Sequence, residues 1–268
     1  MLNVIEWNEI QVFTYFFVFV RATSLMLFLP ILGDRAVPPV VKILFGVAFS
    51  AVLHPLLWSQ GLRVSPSIMA STNKLVWAVV SEVMFGMLLG FVARWVFDAI
   101  QFAGHFIGTS IGFSIATVLD PHTETQTIAL AELQYIIAAL LFLALNGHHF
   151  YLNSILQSYS VVTLGGPDWF LHSDEIVKYL IRMTGEVLVL GVKLSAPILV
   201  VMLLINLTFG VLARAVPQMN VLSVSFTTNI FFGLLIVLIS LPGFVNMVSG
   251  AFEAYTPELD RFMRLFGG

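Results

Sequence analysis

The sequence predicts an all-α, polytopic integral membrane protein, and three observations carry that prediction. Of its 268 residues, 59% are hydrophobic and 10% charged, whereas a soluble domain carries roughly 25% charged residues. Mean hydropathy is +0.96, which leaves too little polar surface to cover a water-soluble globule. Six apolar runs, at 10–29, 40–58, 75–97, 128–145, 187–212 and 221–245, each come near the ~20 residues that a helix needs to cross a bilayer. The short alternating runs of a membrane β-barrel are missing from the sequence.

The first run follows a stretch with Glu6 and Glu9 but no Lys or Arg. Without the basic n-region of a cleaved signal peptide, that run is expected to be retained. Pro30, Pro38, Pro39, Pro55, Pro66 and Pro217 punctuate the ends of runs, where proline belongs. Pro197 and Pro242 fall inside runs and predict kinks. The most polar stretch is 164–182, where Ser173 followed by Ile176, Tyr179 and Leu180 predicts a capped amphipathic helix along an interface. It divides a single helical membrane domain, 1–268, into a first part (1–163) with four runs and a second (164–268) with two. The tail 253–268 mixes Phe262, Met263, Leu265 and Phe266 with charges, as a short amphipathic helix does. Arg35, Lys42, Arg63, Lys74 and Arg214 are spread too evenly among the connections to orient the chain.

A net charge of -3 without a basic block gives no reason to expect a nucleic-acid partner. The absence of cysteine excludes disulfides, thiolate metal sites and cysteine nucleophiles. His148 and His149 are adjacent, so they diverge on a helix, and no third metal ligand stands near them in sequence. No nucleophile–base arrangement, phosphate loop or HExxH motif occurs. The chain is therefore not expected to be an enzyme, and no cofactor or metal is expected.

Ionisable groups inside apolar runs are costly in lipid and face protein or water. In the third run Glu82, Gly86, Gly90, Arg94 and Asp98 follow at intervals of four, and Gln101 and His105 continue the series. On one continuous helix they drift slowly around a single face. Gly86 and Gly90 form a small-xxx-small pair that admits close backbone approach, and Arg94 can pair with Asp98 one turn on. Two readings stay open for this face: it packs against neighbouring helices, or Glu82 and Arg94 line a path. Arg21, Glu132, Glu186 and Lys193 are the other charges within or beside runs. Glu186 and Lys193 stand two turns apart on one face, with Pro197 a turn further. A broken helix bearing a lysine suits a transporter site. The simpler reading is a kinked helix whose Lys193 pairs with a neighbouring carboxylate.

Between the third and fourth runs lies 101–127, QFAGHFIGTSIGFSIATVLDPHTETQT, which is neither a solvated loop nor a good membrane helix. Gly104, Gly108 and Gly112 recur every four residues. If helical, they make a smooth stripe for close approach; if not, they make the segment pliable. Phe106, Ile107, Ile111, Phe113 and Ile115 stand around them, and Asp120-Pro121 stops the run. A glycine-rich apolar plug loop is the expectation, since an apolar constriction blocks water and ions by dewetting. Phe106, Ile107, Ile111, Phe113 and Ile115 are the candidate seal, and the three glycines its compliance or close packing.

The ordered series Ser81-Glu82, Gly86, Gly90-Phe91, Gln101, Gly104, Ile111-Gly112-Phe113 and Asp120-Pro121 resembles the FliR/SctT family of type III secretion export-gate subunits. Arg214-Ala215-Val216-Pro217-Gln218-Met219-Asn220 is similar to that family's R-x-x-P-Q-x-N signature, and Lys193 and Pro197 precede it at a fitting distance. The resemblance covers roughly residues 10–245, and Pro217-Gln218-Met219-Asn220 favours the flagellar branch. The chain departs from the family after Asn220, with Leu222 and then Phe226-Thr227-Thr228-Asn229 where a Phe and a Pro-Leu-Lys-like element are usual.

The resemblance implies a subunit of the bacterial inner membrane, in the flagellar basal body. It would assemble with FliP- and FliQ-type subunits, beside FlhB- and FlhA-type export membrane proteins, into a closed helical pore for unfolded flagellar proteins. The resemblance further implies that the first part packs like FliP and the last hairpin like FliQ. Much of the assembly would stand above the bilayer plane, and a plug at 106–122 would help close the pore. Glu82, Gly86, Gly90, Arg94, Asp98, Gln101, Lys193, Pro197, Arg214, Pro217, Gln218 and Asn220 would then serve subunit packing or line the path. The competing function is a small secondary transporter with a broken-helix site at Glu186, Lys193 and Pro197.

Overall fold

The computed structural model describes residues 8–34, 37–113, 129–165, 173–218 and 220–267. Among them the regular elements are all α-helices: α1 (Glu9–Phe28), α2 (Pro39–Ser59), α3 (Pro66–Met69), α4 (Thr72–Ala93), α5 (Trp95–Ile111), α6 (Ala129–Ala144), α7 (Gly147–Val161), α8 (Ser173–Ala215) and α9 (Val221–Gly267). Proline opens α2 and α3, where its fixed φ suits the first turn and its missing N–H is no loss. Helices α1, α2, α4, α8 and α9 are long and apolar enough to cross a membrane. Helices α6 and α7, a pair broken at 145–146, make a sixth span if taken together. All six expected runs thus have a helical counterpart.

The boundaries differ in several places. The expected plug loop is helical over its first part, because residues up to Ile111 complete α5; residues 114–128 lie outside those described. The series Glu82 to Asp98 is not one helix face: α4 ends at Ala93, Arg94 caps it at φ -90° and ψ 0°, and α5 starts anew at Trp95. Segment 147–161, too polar to register as a span, forms α7 after Asn146 takes a left-handed φ of 57°, a conformation Asn tolerates. The interfacial helix at 173 and the amphipathic tail are not separate pieces either. They are the ends of α8 and α9, of 43 and 47 residues, or roughly 65 and 70 Å at about 1.5 Å per residue. Pro55, expected at a helix end, lies inside α2, and α8 continues through Pro197; neighbouring groups can compensate the freed carbonyls in an apolar setting.

The described residues gather into two compact units. One contains α1–α4, α7, the start of α8 up to Ile181 and the end of α9 from Ala254. Here α1 lies along α4 and α2, and Gly90 makes the approach possible: a Cβ there would stand 2.6 Å from Phe28 Cβ and 2.7 Å from Leu25 O. Leu259, Phe262 and Met263 of the tail are almost fully buried. The Phe266 ring lies 5.0 Å from Phe85, and Phe262 lies 5.2 Å from Tyr179. The second unit contains α5, α6, the rest of α8, and α9 up to Glu253. Phe97 centres an aromatic cluster there, with Tyr135, Phe142 and Phe252 at 5.5, 5.6 and 5.3 Å.

Candidate functional site

Helix α5 ends in a glycine cap that fixes where the candidate seal begins. Gly112 has φ +106°, which a residue with a Cβ adopts only under strain. The Gly112 N–H donates to Thr109 O at 3.2 Å, and the Phe113 N–H reaches back to Gly108 O at 3.0 Å. These two bonds make a Schellman motif, which satisfies carbonyls that a helix end otherwise leaves orphaned. A contact between the residue after the glycine and the last turn often accompanies it. Phe113 makes one here, packing on a cluster of Ile107, Ile111, Leu130, Ile198 and Met202.

That cluster divides the five seal candidates. Ile107 and Ile111 are wholly buried inside their own unit, while Phe106 is 43% exposed and Phe113 is half-buried. Ile115 lies outside the described residues, as do Asp120 and Pro121. The glycines separate as well. Gly104 faces α6, where a Cβ would stand 2.5 Å from Ala131 Cα. Gly108 is buried and supplies a capping carbonyl, and Gly112 is the left-handed cap.

In the first unit, Arg21 of α1 meets Glu82 of α4. Arg21 Nε donates to Glu82 Oε2 at 2.5 Å and Nη2 to Oε1 at 2.9 Å. Both side chains are 0% exposed. Nη1 also donates to Ser158 O and Val162 O at 2.9 and 3.0 Å, and Nη2 to Thr163 O at 3.3 Å. The five N–H donors of a guanidinium are therefore all used. The acceptors beyond Glu82 are carbonyls at and just past the C-terminus of α7, where a cation also complements the helix dipole. Phe85 and Tyr159 flank the guanidinium, with ring centroids 5.0 and 4.8 Å from Cζ. Glu82 Oε1 accepts from the Gly165 N–H at 2.9 Å. Glu82 is thus paired within its own chain.

Gly86 and Gly90 serve the same contact, since a Cβ at Gly86 would stand 2.8 Å from Arg21 O. Arg94, at the α4–α5 break, and Asp98, in the first turn of α5, are half-buried, as is Gln101. Arg214, Pro217, Gln218 and Asn220 are exposed at the α8–α9 turn. Asn220 caps α9, its Oδ1 accepting from the Ser223 N–H at 3.3 Å. Lys193 and Pro197 are exposed on α8. Glu186 lies 3.6 Å from Arg182 on the same exposed face. Helix α8 is unbroken at Pro197, so the broken-helix site of a transporter is not formed there.

Two residues gain importance that sequence reasoning did not give them. Arg21 stood only among scattered charges, because its partner is 61 residues away. Gly233 drew no notice, although a glycine inside an apolar helix costs about 1 kcal/mol relative to alanine and so asks for a packing reason.

Residues 12–255 match the family model described as bacterial export proteins, family 1. The chain is similar to the flagellar biosynthetic protein FliR of Bacillus subtilis (strain 168), with 26% identity over 258 residues, or 94% of this chain and 95% of that protein. The FliR of Escherichia coli (strain K12) is 29% identical over 82% of this chain and 81% of its own length. The surface presentation of antigens protein SpaR of Shigella flexneri is 30% identical over 89% of this chain and 90% of its own.

Proposed function

This chain belongs to family 1 of the bacterial export proteins, and from that membership we infer that it is the FliR-type component of a flagellar type III export gate. The match across residues 12–255 carries the inference, and the FliR relatives align over most of their lengths. Its apolar helices make it a membrane protein. We place it in the bacterial inner membrane at the flagellar basal body, assembled with FliP- and FliQ-type subunits and adjoining FlhB- and FlhA-type proteins. Residues 1–163 correspond to the FliP-like part, and the α8–α9 hairpin to the FliQ-like part. Unfolded flagellar proteins pass through the assembly, and no bond is made or broken by this chain.

The exposed residues of the α8–α9 turn, Arg214, Pro217, Gln218 and Asn220, with Lys193 on α8, are available to neighbouring subunits. Glu82, Gly86 and Gly90 hold the chain's own helices in register instead. Phe106, Phe113 and Ile115 supply the apolar seal, which excludes water without any charge; Ile107 and Ile111 are its buried root. Replacing Phe106, Phe113 and Ile115 together by Ala should make resting cells leak small ions while export continues. An assembled complex with unaltered permeability would count against the seal. Copurification with different small membrane proteins, identified by intact mass, tests the assembly; recovery of the chain alone in lipid would refute it.

A further inference from the structure

We propose that Gly233 of α9 is the socket that positions the end of α5. An ideal Cβ built at Gly233 would stand 2.6 Å from Ile111 Cγ1, 2.8 Å from Cδ1 and 3.1 Å from Cγ2. The three carbons beyond Cβ of Ile111 thus occupy the space that any other residue at 233 would claim. Ile111 is 0% exposed and Gly233 is buried. A β-branched side chain is stiff at χ1, so Ile111 cannot swing aside as a lysine or methionine would.

The contact continues along one stripe of α9. Phe226, Ile230, Gly233 and Val237 are spaced four, three and four residues apart, the periodicity of one helical face. Phe226 lies where it would meet a Cβ of Gly112 at 3.4 Å, and Ile230 and Val237 pack on the cluster containing Ile111. The capping glycine and the residue before it are thereby held against the same helix. A seat of this kind fixes where the cap of α5, at Gly112 and Phe113, lies. Gly233 and Ile111 act as positioning residues for the seal, a consequence that rests on the gate reading, whereas the packing itself does not.

The test is a double-mutant cycle in the full chain, expressed with the rest of the export apparatus: Gly233→Ala, Ile111→Ala and the pair. Overpacking a buried site is disruptive, whereas Ile111→Ala removes the three obstructing carbons. Gly233→Ala alone should lower the heat-resistant fraction of the extracted complex about tenfold, and less than about twofold when Ile111→Ala is already present. It should also raise resting permeability to small ions, and in the Ile111→Ala background, where the seat is already lost, it should add no further rise. Gly243→Ala, where a Cβ meets nothing within 4 Å, is the control for added helix propensity and should behave as the unaltered chain.

Equal loss from Gly233→Ala in both backgrounds would overturn the proposal, because Gly233 would then be meeting something other than Ile111. So would a silent Gly233→Ala. Coupled stability with permeability unchanged in Gly233→Ala would overturn the positioning role. Failure of the gate reading itself looks different: permeability then stays flat in the Phe106, Phe113 and Ile115 variants too, while the stability coupling persists.

Discussion

Arg21 and Glu82 face each other through two parallel hydrogen bonds of 2.5 and 2.9 Å, and neither side chain has any solvent exposure. Removing one member of such a pair strands a buried charge, at a cost of about 3–5 kcal/mol. Arg21→Met should therefore sharply reduce the yield of extractable, folded protein, and Glu82→Leu should do the same. Combining them removes both charges and should recover part of the loss, as read by thermal aggregation of the extracted chain. Independent, additive losses would mean that the two residues do not act as a pair.

Tyr159 tests the surroundings of that pair. Its hydroxyl donates to Val18 O at 3.0 Å, and its ring flanks the Arg21 guanidinium. Tyr159→Phe keeps the ring and should cost about 1 kcal/mol. Tyr159→Leu loses the aromatic face as well and should cost more. The comparison is made by the same aggregation assay, with equal losses counting against the stacking role.

Glycines of α4 and α8 should respond differently to one methyl group. Gly90→Ala drives a Cβ into Phe28 and Leu25 and should force α1 off α4, costing about 1–3 kcal/mol. Gly185→Ala meets nothing within 4 Å in the chain, and should leave folding unchanged or slightly improved. Protease resistance of the two variants in membranes provides the measurement.

Gly112 should resist substitution for a conformational reason. At φ +106° an alanine is strained by roughly 1–3 kcal/mol, and valine adds a branched side chain to an already restricted χ1. Flagellar motility should fall in the order Gly112, Ala, Val. Full motility in Gly112→Val would show that the left-handed cap is dispensable.

The end of α9 is core rather than tail. Leu259, Phe262 and Met263 are buried at 1%, 0% and 2% exposure, and Tyr179 donates to Glu258 O at 2.8 Å. Deleting residues 254–268 should abolish accumulation of the chain, whereas Arg264→Ala, on the exposed side, should leave it intact. Immunoblotting of membranes distinguishes these outcomes.

Much of this architecture was legible in advance because long apolar runs and glycine spacing are local quantities. The first, second and fourth runs marked their helices within a few residues, the last two marked only the apolar middle of α8 and the start of α9, and the Gly86–Gly90 pair marked a close helix contact. The α5 end was only half legible. Its three glycines looked alike in sequence, yet Gly104 faces Ala131, while Gly112 adopts a left-handed turn that ends the helix. Helix α7 was missed since its hydroxyls and amides dilute the apolar signal. Tyr151 and Tyr159 nevertheless bond Ala93 O and Val18 O, and so give that helix long-range anchors.

By itself, the sequence determined that this chain is a bundle of apolar helices, because hydropathy sums over neighbours along the chain and needs no partner to be counted. It also supplied the ordered motifs of the export family. Only the tertiary structure decided which charge meets which, that α4 stops at Arg94, and that Ile111 fills the space left by Gly233. Those choices depend on atoms brought together from distant positions, where one missing Cβ or one buried carboxylate has meaning only once its neighbour is in place.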